Sequence, residues 1–336
     1  MRKLATIQNV DAVLPIPDAD AIECVQIGGW KIVTRKGEYQ PNDLCVFFEI
    51  DSVLPVRPEY EFLRKSSFIK NDVYEGFRLK TIKLRKQISQ GLVVKVPVEF
   101  ADLDIGTDVT ELMGVVKYEP TIPTTQKGNF EGAFPSFIPR TDQERIQNLS
   151  VELKNWIASE DTWEVTEKLE GQSMTVYFKD GKVGVCTRNW ELKEDDHNTQ
   201  WSLVKKLGLD TKLIENGVNV AIQGELIGPG IQGNHYKLTE PQFRVFDIFL
   251  IDEQNYVCSE NRLQYCDIMK LDHSPVLSEC MTIAAPDMTM NSLLEFADGP
   301  SILNPMVSRE GLVFKNLVNP SESFKIVSND YLLKEK

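Results

Sequence analysis

The stretch Glu164-Val-Thr-Glu-Lys-Leu-Glu-Gly171-Gln-Ser-Met-Thr-Val-Tyr177 leaves few options for its local fold. Val165, Met174, Val176 and Phe178 are strand-forming residues on both sides of Gly171, so two strands meeting at a turn is the reading. Lys168 then sits where the first strand ends, beside a glycine that leaves room for a ligand to approach the backbone. A lysine amine is ordinarily protonated at neutral pH, its usual pKa being about 10.4. It becomes a nucleophile only where desolvation or neighbouring cations favour the neutral form. On this stretch alone a strand lysine reaching solvent beside a turn glycine is the better explanation, because Lys-x-acid-Gly is short and common by chance.

At 336 residues the chain exceeds one ordinary domain, and two domains are expected. No apolar run is long enough to span a bilayer, and Met-Arg-Lys-Leu-Ala lacks the apolar core of a secretory signal. Cys24, Cys45, Cys186, Cys258, Cys266 and Cys280 form no Cys-x-x-Cys pair, so free buried thiols in a reduced, cytoplasmic protein are expected. The net charge of −13 argues against a protein that coats nucleic acid through bulk charge. The distribution is uneven, however: residues 1–100 hold 15 Lys and Arg against 13 Asp and Glu, and the remainder 22 against 37. With three scattered histidines no His-based zinc site is expected, and any metal should be a hard cation held by carboxylates and phosphates.

Residues 1 to about 100 read as short strands (5–13, 30–34, 44–50, 77–84 and 92–96) separated by turn chemistry at Pro15-Ile-Pro17-Asp18, Gly28-Gly29, Lys36-Gly37 and Pro41-Asn42-Asp43. Such spacing suggests a small barrel, and the OB fold is the usual nucleic-acid version. Arg78, Lys80, Lys83, Arg85 and Lys86 form a basic segment. It is either a solvated strand face or a phosphate-contacting surface, with Phe68, Tyr74 and Phe77 nearby as stacking groups or core. Residues 117–139, rich in Pro, Gly and Thr, read as the connection between domains 1–116 and 140–336. Thr141-Asp-Gln-Glu144 reads as a capping box opening a helix whose stripe is Ile146, Leu149, Leu153, Trp156 and Ile157.

Four further segments follow in order: Gln223-Gly-Glu225 ending an apolar run, Phe243-Arg-Val-Phe246-Asp-Ile-Phe-Leu-Ile251, Arg309-Glu310-Gly-Leu-Val-Phe-Lys315, and Ser323-Phe-Lys325-Ile-Val327. Together with Lys168-Leu-Glu-Gly171 they resemble the motifs of the covalent nucleotidyltransferases, the ATP-dependent ligases and mRNA capping enzymes. Over nearly the whole chain the resemblance is to ATP-dependent RNA ligases with an N-terminal OB domain, the Deinococcus and Naegleria type. It implies an α+β chain: an OB-type β-barrel, then a nucleotidyltransferase (ATP-grasp-like ligase) domain of antiparallel sheets with flanking helices. The implied partners are ATP, Mg²⁺ or Mn²⁺, and RNA with 5′-phosphate and 3′-OH ends, free or at a nick. A monomer is expected.

The resemblance also implies roles. Lys168 would take AMP from ATP and pass it to RNA. Lys315 and Lys325 would face phosphate, and Glu225 and Glu310 would hold the metal. Glu167, Arg145, Gln147, Arg188 and Phe246 would contact the nucleotide, Phe246 by stacking on adenine. Each alone has a plainer explanation, as core, surface arginine or strand-end charge. Two departures stand out: Glu170 replaces the usual aspartate of Lys-x-Asp-Gly, and Val327 occupies the place of a second lysine after Lys325, for which Lys334 is a candidate substitute. The glycine loop Gly228-Pro-Gly-Ile-Gln-Gly-Asn234 matches no phosphate-binding pattern, and no chemistry follows from it. The competing readings are a DNA ligase or capping enzyme, whose OB domain follows the transferase domain, and a non-catalytic nucleic-acid binder.

Overall fold

A computed structural model describes residues 3–119, 129–159, 161–285 and 288–334. They fall into two compact units that divide between Pro123 and Thr124. The division lies within the expected connection, of which residues 120–128 are outside the described residues. The rest of that segment is not a bare linker: Val116–Lys117 pairs with Ser52–Leu54, and Phe130–Ala133 pairs with Trp190–Leu192.

The first unit is built from short antiparallel strands in small sheets. Ala5–Asn9 and Leu92–Lys95 flank Leu44–Phe48, and Ala12–Pro15, Ile22–Ile27 and Trp30–Arg35 form a meander. Alternation sends Ala5, Ile7, Val46 and Phe48 into one core with Leu54, Tyr60, Phe77 and Val109. The expected strand at 5–13 breaks at Val10, whose amide bonds the Asp43 carbonyl. The strand Ile22–Ile27 escaped the sequence reading because Glu23 and Gln26 dilute its apolar signal.

The second unit holds a seven-stranded and a five-stranded sheet. In the five-stranded sheet Trp163, Val165, Leu312, Phe314, Phe324 and Ile326 share one core with Leu153 and Leu293, from the helices Ser150–Ser159 and Met290–Ala297. By alternation Glu164, Thr166, Lys168, Val313, Lys315 and Lys325 occupy the opposite, polar face. The seven-stranded sheet likewise buries Met174, Val176, Ile222, Phe243, Val245 and Ile248 beneath the helices Thr199–Leu207, Leu209–Asn216 and Ser259–Met269. Its other face carries Ser173, Thr175, Gln223, Glu225 and Asp247. The two polar faces meet, for Lys315 of one sheet bonds Asp247 of the other.

The expected capping box is absent. Glu144–Arg145 is a strand pairing in parallel with Ser323–Val327, and the helix starts only at Ser150. A distant partner strand overrode a local capping signal; Glu144 instead accepts from its neighbour Arg145 N–H and from Asn148 Nδ2, at 2.8 and 2.9 Å.

Candidate active site

Lys168 ends the strand Thr162–Lys168, where its register partner Gly311 begins the strand Gly311–Asn316. Its Nζ lies 2.5 Å from Glu310 Oε1, and both side chains keep partial access to solvent. The turn that follows is tightly enclosed. A Cβ on Gly171 would come 2.4 Å from the Leu226 carbonyl oxygen and 2.8 Å from Glu225 Cγ. The glycine therefore admits the neighbouring strand Val220–Ile227, not a ligand, and the close approach brings Glu225 to the turn after Lys168.

Glu225 has an unusual environment. Burial pushes its carboxyl up to about 8; the nearby charge of Lys168 favours ionisation, and that of Glu310 opposes it. Once Glu225 ionises, one lysine faces two carboxylates, and a bound cation would compensate the negative charge this leaves. Among the described residues no three His, Cys, Asp or Glu side chains converge into a cation cage. Glu225 and Glu310 thus suit an ion that keeps most of its ligands as water and phosphate oxygen, as Mg²⁺ does.

Around this centre Lys325 is half-buried on the polar face, in register with Val313 and with Arg145. Gln147 is 2% exposed, and neither atom of its amide has a hydrogen-bond partner in the described protein. Such a buried amide is costly unless something else satisfies it, at about 1–3 kcal/mol. Phe246 sits on a bulge: Gln223 pairs with Asp247 but Gly224 with Val245, which leaves Phe246 as the extra residue. The bulge shifts the alternation, so that Val245 and Ile248 both face the core while Phe246 stays half-buried outside it.

An RNA ligase family model matches residues 161–327, and an OB-fold domain model matches residues 4–96. No curated protein sequence matches the chain significantly. Among solved structures, Naegleria gruberi RNA ligase with PPi superposes with a TM-score of 0.92 at 42% identity, over 100% of this chain and 99% of that one. A lysine-to-alanine mutant of the Naegleria ligase with ATP and Mn gives 0.92 at 41%, over 99% of each chain.

The chain belongs to the RNA ligase family.

The other residues singled out in this ligase fare unequally. Lys315 is not a phosphate-facing cation: it is 4% exposed, paired with Asp247, and within 3.2 Å of the Phe246 carbonyl oxygen. Burial pushes its ammonium down, and the Asp247 charge resists. Glu167 is not open to a nucleoside either. Its Oε2 accepts the Ile302 amide at 2.7 Å and the Ser301 hydroxyl also binds it, while burial raises its carboxyl. Arg188 is held at the surface by Asp142 at 2.6 Å. In the OB unit, Arg78 is withdrawn: its guanidinium lies 3.6 Å above the Tyr118 ring and 3.9 Å from Asp51. Lys80 is half-buried, and Lys83, Arg85 and Lys86 are exposed on the hairpin Thr81–Leu84/Gln87–Gln90. Phe77 is core, Phe68 packs on it at 5.8 Å, and Tyr74 packs on Tyr118 at 5.5 Å. Lys334 bonds the Ser308 hydroxyl at 2.6 Å.

Sequence reasoning missed Asp247, Arg262, His235 and Tyr236. Asp247 had a signal, a lone carboxylate inside the apolar run 243–251 that demands a partner. Arg262 and His235 had none, since their partners Glu164 and Glu170 are remote in sequence.

Proposed function

We propose that the protein is an ATP-dependent RNA ligase that joins a 5′-phosphate to a 3′-OH through AMP carried on Lys168. The observation that carries this is the Lys168–Glu310 pair on the polar face with the half-buried carboxyl of Glu225 beside it. The Naegleria ligase structures with PPi and with ATP and Mn support the nucleotide and the metal.

Three displacements make up the reaction. The neutral Lys168 amine attacks the α-phosphorus of ATP, forming an N–P bond as pyrophosphate leaves. The RNA 5′-phosphate then takes AMP from Lys168, and finally the 3′-OH attacks the activated phosphate and AMP departs. Glu310 holds Lys168 Nζ in place, and Lys325 and Arg145 supply positive charge toward the phosphates. The unsatisfied Gln147 amide fits a nucleotide contact, and Phe246, released from the core by its bulge, fits stacking on adenine. Mg²⁺ or Mn²⁺ held through Glu225 and Glu310 would draw negative charge from the phosphate oxygens. The OB unit would bind RNA through Lys83, Arg85 and Lys86, with ends free or at a nick.

Intact-mass measurement after incubation with ATP and Mg²⁺ tests the central step. One AMP adduct per chain, mapping to Lys168, is expected. No adduct, an adduct on another lysine, or one formed equally from GTP would overturn the reading.

A further inference from the structure

The glycine loop at residues 228–234 has a use in the structure. The backbone is left-handed at Gly230, Gln232, Gly233 and Asn234, and the Asn234 amide closes the loop on both backbone groups of Leu238, at 2.9 and 2.8 Å. This delivers His235 and Tyr236 to the turn after Lys168. The Glu170 amide donates to Tyr236 Oη at 2.6 Å, and His235 Nδ1 lies 3.0 Å from Glu170 Oε2. On the far side of the ring, His235 Nε2 is 2.7 Å from the Ser308 carbonyl oxygen. A carbonyl only accepts, so Nε2 carries a hydrogen. Nδ1 and the carboxyl oxygen must then hold one proton between them, or two lone pairs would oppose each other. The other groups facing this carboxyl are Tyr331, which hydrogen-bonds it, and the charges of Glu310 and Lys168.

We propose that His235 is a positioning residue of the ligase, sharing a proton with Glu170 so that the turn beside Lys168 is fixed. The proposal rests on Lys168 being the nucleophile. An attacking amine must be held in line with the phosphorus it attacks, and a turn that moves carries it out of line. Glu310 holds Lys168 Nζ at 2.5 Å from one side, and His235 and Tyr236 hold Glu170 two residues along, so the turn is fixed at both ends. The pair also gives meaning to Glu170 in place of aspartate: its extra methylene extends the carboxyl by about 1.5 Å toward the imidazole.

The test measures single-turnover lysyl-AMP formation with ATP and Mg²⁺ in wild type, His235→Gln, His235→Asn, Glu170→Gln and the Glu170→Gln/His235→Gln double variant. Asparagine places an amide N–H where Nδ1 lies and keeps the bond to Glu170. Glutamine reproduces Nε2, keeps Ser308 and loses Glu170. The expected result is a loss of roughly tenfold or more in maximal rate for His235→Gln, an unchanged KM for ATP, and substantial rescue in His235→Asn. The double variant should be no slower than Glu170→Gln alone, because residues acting as a unit are not additive. Without nucleotide, Glu170→Gln should shift the Nδ1 resonance of His235, resolvable because the chain has three histidines. A His235→Gln rate within about twofold of wild type, or additive losses in the double variant, would overturn the proposal. Wild type failing to form the adduct would instead overturn the reading of Lys168.

Discussion

Two lysines on one face of one sheet, Lys168 and Lys315, have opposite fates. Lys315 stands in register with Glu164, and around them Asp247, Arg262 and His273 complete a buried cluster. Its charges balance, two cations against two carboxylates. His273 is neutral, its Nδ1 donating to the Ser274 carbonyl and its Nε2 accepting from Arg262 at 3.0 Å; burial and the guanidinium hold it at about 4. Four residues farther along the strand, Lys168 meets Glu310 in a partly open site where carboxylates are in excess. Saturation separates the two ends. A lysine enclosed with a full set of partners ties the sheets together, whereas one that faces more carboxyl groups than cations and keeps access to solvent can meet a phosphate and a metal.

Exchanging the fates of the two lysines gives the largest expected effects. Lys168→Ala should form no enzyme–AMP and should fail to seal 5′-phosphate RNA with ATP, yet still seal pre-adenylylated RNA, where the nucleophile's work is already done. Its stability should change by less than about 1 kcal/mol, since the pair is partly solvated. Lys315→Met should do the reverse, costing about 3–5 kcal/mol by leaving Asp247 buried without its cation, while the folded protein still takes AMP. Denaturant titration and intact mass on both variants check this. If Lys315→Met were as stable as wild type but unable to form the adduct, Lys315 would belong to the chemistry and the contrast would collapse.

The sequence disclosed the open end better than the closed one, and the reason is physical. Lys168, Glu225, Glu310 and Lys325 lie in ordered motifs because the proposed chemistry would demand particular residues at particular strand ends. Lys315 sits in the same kind of motif, but its role depends on Asp247, contributed by another sheet. No local pattern states which side chain will cover a strand face. Phe246 shows the same limit in another form, since only the bulge opposite Gln223 and Gly224 frees its ring. The helix start failed because the parallel pairing of Arg145 with Lys325 is a long-range contact that outweighs capping propensity.

A smaller effect is expected in the OB unit, where charge is displayed, not enclosed. Arg85 and Lys86 form a two-residue hairpin turn with φ of 47° and 67°. That left-handed geometry favours Asn-Gly, so two long basic residues there sacrifice stability for what their side chains do. Arg85→Asn with Lys86→Gly should therefore leave the fold equally or more stable while weakening RNA binding. The slope of log affinity against log salt should shrink by roughly 1–2, as two fewer phosphates are neutralised. Binding and salt slope equal to wild type would return the hairpin to an ordinary solvated surface.

The smallest effect sharpens the contrast from the open side. Burial raises the Glu225 carboxyl from an ordinary 4.5 to about 8. A carboxyl raised on folding contributes stability that is complete below its unfolded value and lost as pH climbs through the folded one. Without metal, the protein should thus lose stability between pH 5.5 and 8.5 relative to Glu225→Gln, which cannot ionise. Cations oppose this loss: Lys168 already does so in part, and added Mg²⁺, binding the ionised carboxylate, should narrow the remaining gap at high pH. Thermal midpoints of the two proteins at both pH values, with and without Mg²⁺, measure all three terms. A wild-type-to-Gln difference that stays flat with pH would mean Glu225 is already neutralised as fully as the carboxylates around Lys315. The uncompensated carboxyl that distinguishes the two ends would then not exist.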